Sequence, residues 1–370
     1  MNIMLYAYVD ENIGDDLFID LICKRYKDIQ FYLYIPVKYL NYYSNLKNLH
    51  CIPMKSFGKN TERINRWLFK ERLLPILYWN RMYNLDKLWI KKMDGNIWLG
   101  GSQFVETRDW KSVIKYKIKQ QQLKQIPFFS ISATVGPFKT EEYETAVKMV
   151  IAGYKHIVFR DKWSYERMGE KANSSYAYDM VFTKKLLNQK KEKEVCISVI
   201  DTYGRFADEI AKSYEKWILS VSKYFLEKGY KLNFLSLCNN HHDNKAIQRI
   251  IKSIPLDKVS VYSYSENMNE IISIISKSEI MVGTRYHSIV LGLKLGLKVL
   301  PVIYESKTEN LLDMLGVTGI KIDNLLGASV ENANNLMIQL SEVQIINISQ
   351  NAEHQYFELD KWMKEERQFG

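Results

Sequence analysis

The sequence predicts an α/β protein built from two Rossmann-like domains, and three observations lead there. The chain has 370 residues, more than one ordinary compact domain holds. Short apolar runs recur along it, each leading into a loop of small or polar residues. That is the pattern of parallel strands whose ends converge on one edge, where ligands bind. The alternation restarts after a charged stretch, 184–194, which reads as a linker. The expected division is therefore an N-terminal domain over 1–185 and a C-terminal domain over 186–350, with a cleft between them. A final helical segment over 351–370 ends the chain or packs back on the first domain.

The elements follow in order. Residues 2–8 form an apolar strand that runs into Asp10–Asp16, and Leu17 to Arg25 reads as a helix, the first half of a βαβ unit. A strand over 31–35 is closed by Pro36. Residues 96–99 lead into Gly100, Gly101 and Ser102, residues 128–133 into Gly136-Pro137, and residues 156–159 into Arg160-Asp161. In the second half, strands over 195–200, 231–237, 259–262, 280–282 and 299–302 alternate with helices over 208–227, 245–253, 266–276 and 288–295. A last helix is expected over 352–367.

Composition narrows the class. Hydrophobic residues make up 46% and charged residues 25%, while Gly (17) and Pro (7) are few, which excludes collagen-like, low-complexity and disordered chains. The longest apolar run, 73–79, is far too short to span a bilayer. The first apolar residues lack a preceding basic residue and meet Asp10 and Glu11 at once, unlike a secretory signal, so a cytoplasmic protein is expected. The four cysteines (Cys23, Cys51, Cys196, Cys238) are scattered, as reduced thiols are.

Residues 281–307 are the most informative stretch. A buried strand ends at Gly283, and Arg285, His287 and Ser288 stand where strand gives way to helix. Free backbone N–H groups and the positive end of the helix dipole there suit an anion. Arg285 adds a planar fork for carboxylate or phosphate, and His287 a group that moves a proton near neutral pH. Either residue alone is more simply a helix cap; the two together, with Lys307 after the next strand, point to a site. Arg160-Asp161 with Ser164 reads by itself as a cap and local charge balance. Gly100-Gly101-Ser102 and Asn12-x-Gly14-Asp15 have turn chemistry as their plainer reading. His241-His242-Asp243 looks like a metal cluster, but adjacent histidines point apart and no second ligand group has suitable spacing.

The order of these signals carries more than any one of them. The segments NIGDDLF, WLGGSQF, TVGPF, VFRDKWS, AYDMVF, MVGTRYHSIVLGLKLGLKVLPVIYESK and LLDMLG, spread over about residues 3–316, resemble the polysaccharide pyruvyl transferase family. The Arg-x-His element with its downstream Tyr-x-x-Lys is the most specific. Ser102 stands where a third glycine is more usual, and Thr134-Val135-Gly136 leaves the acceptor preference open. The resemblance implies a fold similar to the two-domain GT-B glycosyltransferases, with phosphoenolpyruvate as donor and no metal or other cofactor. The product implied is a pyruvate ketal across two sugar hydroxyls, with phosphate released. In this scheme Arg160, Arg285 and Lys307 bind the donor with Gly283 and Ser288. His287 is the acid or leaving-phosphate partner, and Asp15, from the facing domain, the acceptor-side base. Asn12, Gly14, Gly100, Gly101 and Ser102 lie toward the acceptor.

Charge is the remaining observation. Lys and Arg (52) outnumber Asp and Glu (42), and residues 59–92 carry nine of those cations against Glu62, Glu71 and Asp86, interleaved with Trp67, Phe69, Tyr78, Trp79, Tyr83 and Trp89. Residues 111–124 add five lysines and no acid. Such a segment suits the interface of an anionic membrane; the plainer reading is a solvated helix face with its aromatics in the core. Nucleic acid is disfavoured, because no nucleic-acid module is recognisable. The resemblance implies a saccharide acceptor carried on polyprenyl pyrophosphate at the cytoplasmic leaflet. Two other functions compete: glycosyl transfer from a nucleotide sugar, for whose ribose Glu305 and Glu309 are the nearest acids, and non-catalytic saccharide or membrane binding on the same fold.

Overall fold

The computed structural model describes residues 1–54, 73–123, 126–169, 172–186, 189–265 and 267–369. Arg63, Arg66 and Lys70 of the basic aromatic stretch, and Lys124, lie outside the described residues. The chain divides into two compact units: Met1–Val9 with Phe18–Asp179 and His354–Gly370, and Asp10–Leu17 with Met180–Glu353. Residues 10–17 thus belong with the second unit and the C-terminal segment with the first.

In the first unit, β1 (Asn2–Tyr6), β2 (Gln30–Pro36), β3 (Leu49–Met54), β4 (Gly95–Leu99), β5 (Phe128–Ala133), β6 (His156–Phe159) and β7 (Ser174–Tyr176) form one parallel sheet in the order β3-β2-β1-β4-β5-β6-β7. β5 is buried at every position, as a strand with helices on both faces must be. The edge strands β3 and β7 escape the sequence reading. β3 buries only Leu49 and Ile52 of its six residues and contains Pro53, which an edge tolerates, and β7 has only three residues. The helices are α1 (Ile13–Arg25, its first turn in the second unit), α2 (Leu73–Trp89), α3 (Trp110–Gln121), α4 (Glu141–Ala152) and α5 (Lys162–Met168).

Two buried polar centres organise this unit. Asp86 accepts hydrogen bonds from the hydroxyls of Tyr6, Tyr34 and Tyr116 and from Gln120 Nε2, at 2.8–3.1 Å. Burial pushes its carboxyl up to about 6 against those four donors. Gln355 is buried in the C-terminal segment. Its Oε1 accepts from Ser132 N at 2.8 Å, while its Nε2 contacts the carbonyl oxygens of Phe159, Ala177 and Tyr178 at 3.1–3.2 Å.

In the second unit, β8 (Glu192–Ser198), β9 (Lys231–Ser236), β10 (Val259–Ser263), β11 (Ser278–Gly283), β12 (Lys298–Ile303) and β13 (Ile320–Lys321) form a parallel sheet in the order β10-β9-β8-β11-β12-β13. Its helices are α6 (Asp208–Glu227), α7 (Asp243–Ile251), α8 (Met268–Lys277), α9 (Tyr286–Lys294), α10 (Ser306–Met314), α11 (Val330–Asn334) and α12 (Glu342–Ala352). The end of the stretch expected as linker is the exposed start of β8, and Lys191 Nζ donates to the carbonyls of Ser276 and Leu295. The helix expected over 352–367 is instead the end of α12, a tight turn over Glu353–Tyr356 and a helix over Phe357–Phe369.

Replacing Gln355 by Leu removes its acceptor from the buried Ser132 N–H and its amide contacts to the carbonyls of Phe159, Ala177 and Tyr178, and should cost about 1–3 kcal/mol in urea unfolding. An unchanged midpoint would show that this amide does not hold the segment.

Candidate active site

Strand order reverses in the second sheet between β8 and β11, where successive loops diverge and open space at the carboxyl ends of the strands. Four segments of the second unit meet at this edge. The loop after β9 turns through Asn239–His241 into α7; the loop after β11 carries Thr284 and Arg285 into α9; the loop after β12 carries Tyr304 and Glu305 into α10. The fourth segment is Asp10–Leu17, which joins through the hydrogen bond from Ile13 N to Leu237 O (3.2 Å) and an antiparallel bridge between Asn12 and Cys238.

Arg285 is the centre. Its Nε donates to Asp243 Oδ2 at 2.9 Å and its Nη2 to Asp243 Oδ1, a fork on a carboxylate that is wholly buried. Asp243 also accepts from Cys238 N at 3.2 Å and opens α7, where the dipole favours its charge. Burial pushes the Asp243 carboxyl up, and Arg285 pulls it back. The Nη1 of Arg285 donates to His241 Nδ1 at 3.2 Å. An arginine only donates, so Nδ1 is the acceptor and the His241 proton sits on Nε2. Burial first, then the charges of Arg285 and Arg205, lower the His241 pKa to about 4, which keeps it neutral above that pH. These contacts use three of the five guanidinium N–H donors.

Lys307 and Arg205 complete the electrostatics, since both add to the positive field at His241. Lys307 Nζ lies 2.6 Å from Glu305 Oε2. Burial works against the Glu305 charge, yet Lys307 beside it holds the carboxyl below its usual range. Arg205 is exposed on the loop after β8, its guanidinium 6.0 Å from the Tyr304 ring. Arg249 bonds Asp201 at 2.6 Å and so steadies that loop. The hydroxyls of Ser198, Thr202 and Thr308 are buried and have no partner among the described residues. They stand at the end of β8, just after it, and in the first turn of α10.

His287 is half-buried in the first turn of α9, and its imidazole lies against Gly14, where a Cβ would overlap the ring. Glycine is therefore required there by close approach. Asp15 is the next residue, half-buried in the first turn of α1. That turn is held by Asn12 Oδ1, which accepts from Gly14 N at 3.0 Å, and by the Tyr264 hydroxyl, which donates to Asp16 Oδ2 at 2.5 Å. The structure thus brings Asn12, Gly14 and Asp15 to the unit that holds Arg285, His287 and Lys307, with Asn12 acting as a cap.

Other expected residues serve the scaffold. A Cβ on Gly283 would meet Ile289 Cγ1 at 2.7 Å, so this glycine lets α9 pack on the strand end. Ser288 Oγ donates to Arg285 O at 2.6 Å and fixes the turn that carries the arginine. Arg160 is 2% exposed in the first unit, bonded to Thr134 Oγ1 at 2.6 Å and paired with the buried Asp179 at 3.1 Å, apart from the edge that holds Arg285. Asp161 caps α5 by accepting from Ser164 N at 2.7 Å. Gly100 and Gly101 take positive φ (50° and 68°) after β4, and a Cβ on Gly100 would overlap Phe18; Ser102 is half-buried beside them. His241, Asp243 and Arg205 are not legible in the sequence as neighbours of Arg285; the His241-His242-Asp243 run imitates a metal pattern, and its His241 and Asp243 are the seat of Arg285.

The family model for polysaccharide pyruvyl transferase matches residues 12–306, from the cap of α1 to the start of α10. The chain belongs to the polysaccharide pyruvyl transferase family. Among curated relatives of this member, the amylovoran biosynthesis protein AmsJ of Erwinia amylovora is 21% identical over 290 residues, 70% of this chain and 68% of that protein. Solved structures share its fold. A putative UDP-N-acetylglucosamine 2-epimerase from Listeria monocytogenes superposes with TM-score 0.61 at 10% identity, covering 98% of this chain and 96% of that one. The UDP-GlcNAc 2-epimerase of Methanocaldococcus jannaschii gives 0.58 at 10% identity, with 97% and 99% covered. The spinosyn forosaminyltransferase SpnP gives 0.51 at 9% identity, with 96% and 95% covered. This family member therefore has the GT-B architecture of two Rossmann-like units.

Gly14→Ala should displace the His287 ring while leaving the sheets intact. In histidine-selective NMR, one of the six imidazoles, assigned by its absence in His287→Gln, should change its chemical shift. An unmoved His287 signal would contradict the contact.

Proposed function

We propose that the protein transfers pyruvate from phosphoenolpyruvate to two hydroxyls of a sugar in a surface polysaccharide or its precursor, forming a ketal and releasing phosphate. The observation that carries the donor assignment is the Arg285 guanidinium, gripped by the buried Asp243 and by neutral His241, with Lys307 and Arg205 in the same field. Phosphoenolpyruvate presents a carboxylate and a phosphate, and the two guanidinium N–H donors that Arg285 keeps beyond its contacts to Asp243 and His241, with Lys307 and Arg205 near, suit such an anion. The buried hydroxyls of Ser198, Thr202 and Thr308 offer further donors at the same edge. Family membership and the polysaccharide role in the name of the AmsJ relative support the saccharide acceptor.

The chemistry needs two proton movements. A proton added to the enol methylene makes the central carbon electrophilic; a sugar hydroxyl attacks it, phosphate leaves, and the second hydroxyl closes the ketal. Two hydroxyl protons are given up in all: one balances the new methyl group and the other leaves with phosphate. His287 is the proton donor or the partner of the leaving phosphate, and Asp15, one residue from the glycine on which His287 rests, is the base toward the acceptor. Arg160 is left out of the donor set, because it is 2% exposed and lies in the first unit rather than with Arg285.

Thermal unfolding with ligands tests this reading. Phosphoenolpyruvate should raise the midpoint, UDP-sugars should not, and Arg285→Ala should abolish the rise. Stabilisation by a nucleotide sugar alone would overturn the donor assignment.

A further inference from the structure

The face of the first unit formed by α2, α3 and α4 shows an arrangement that donor chemistry does not use. The three helices pack side by side over one sheet face, and their inner sides enter the core with Tyr6, Phe128 and Ile157. Their outer sides are unlike an ordinary solvated surface. α2 exposes Leu88 (68%) and Ile76 (46%), and α4 exposes Met149 (58%). Between α3 and α4 runs an open groove of about 590 Å³ whose walls are mostly apolar, with Trp110, Ile118 and Met149 among them.

Cations edge this groove at a regular interval. Lys111, Lys115 and Lys119 line it from α3, spaced four residues apart and therefore stacked along one side of the helix. Lys111 is tied to Glu142 across the groove at 2.9 Å, which leaves Glu141 as the other acidic wall residue. Lys115 has no acidic partner among the described residues, and Lys119 Nζ lies 5.3 Å from the Tyr83 ring. On the neighbouring helix, Lys87 sits over the same Tyr83 ring at 4.8 Å. Exposed Leu, Ile and Met among lysines is the chemistry of a surface lying in the headgroup layer, apolar side chains toward the acyl boundary and ammonium groups toward phosphates.

We propose that the α2–α4 face docks this protein on an anionic phospholipid bilayer, with Met149, Ile118 and Leu88 entering the interface and Lys115, Lys119 and Lys87 meeting lipid phosphates. The surface belongs to the first unit and uses none of the residues assigned to donor binding, so it stands or falls separately from the transfer reaction. Its charge complementarity is to a sheet of phosphates: the lysines spread over two helices rather than converging on one point.

Vesicle sedimentation of the full chain tests it, with phosphatidylcholine alone and with added phosphatidylglycerol. Binding is expected only to the anionic vesicles and should weaken as salt rises. Lys115→Gln with Lys119→Gln should lower the partition coefficient on the order of tenfold or more, at about fivefold for each neutralised lysine. Met149→Ser, which leaves charge unchanged at an exposed position, should weaken binding as well. Lys216→Gln with Lys223→Gln, exposed on α6 of the second unit, should not. Three results would each overturn the proposal: no binding to anionic vesicles, undiminished binding by the α3 variant, or an equal loss in the α6 variant, which would make net charge the cause. The phosphoenolpyruvate-induced thermal shift should be the same in all these variants.

Discussion

Taking a guanidinium and a carboxylate out of water costs several kcal/mol for each ion, so a buried pair persists only where geometry and further hydrogen bonds return most of that cost. The Arg285–Asp243 pair meets the condition: the two groups meet as a fork, Cys238 N adds a donor to the carboxylate, and neutral His241 accepts a third guanidinium N–H. Such a pair contributes little to net stability compared with apolar replacements. What it supplies is a cation whose plane and position are set before any ligand arrives, and pre-set charge is worth more to an anion than a mobile lysine. The rest of the edge depends on it. Ser288 bonds the carbonyl of Arg285, and Gly283 lets the helix that follows sit close enough to hold the turn.

The second constraint is the entry of residues 10–17 into the unit that holds Arg285. One sheet strand and one hydrophobic helix face would not by themselves place the start of α1. The main-chain bond from Ile13 to Leu237, the Tyr264–Asp16 hydrogen bond and the Asn240–Asp10 contact do so. With that start fixed, Gly14 presents bare backbone to His287, and Asp15 follows at the next residue. The acid, the base and the anion-binding arginine of the proposed reaction are therefore positioned by one unit, without any side chain longer than hydrogen at residue 14.

Much of the fold is legible in the sequence because both sheets are parallel and buried, so their strands read as short apolar runs with polar ends. The edge strand β3 is not, since its half-exposed pattern and Pro53 imitate a loop. The site divides along a similar line. Arg285 and His287 are visible because a strand-to-helix junction is a local pattern. Their supports are not: Asp243 lies 42 residues before Arg285, and its run of two histidines and an aspartate imitates a metal motif. The partner of Arg160 is hidden for the same reason, since Asp179 is 19 residues on and nothing local shows that the pair is buried. The structure also explains why those motif segments occur together. Thr134, Arg160 and Asp179, from three of them, make one buried network, while the NIGDDLF and Arg-x-His segments meet at Gly14 and His287.

In the proposed reaction, Asp243 sets Arg285 for an anionic donor. Calorimetric titration of phosphoenolpyruvate into the wild-type chain and into Asp243→Asn measures this most directly, because the amide keeps the shape of the carboxylate and removes its charge. Binding should weaken about tenfold or more, roughly the 1.4 kcal/mol of one well-placed charge-assisted contact, while cooperative unfolding is retained. Equal affinity in the two proteins, both folded, would show that the arginine is not held for this ligand and would contradict the account.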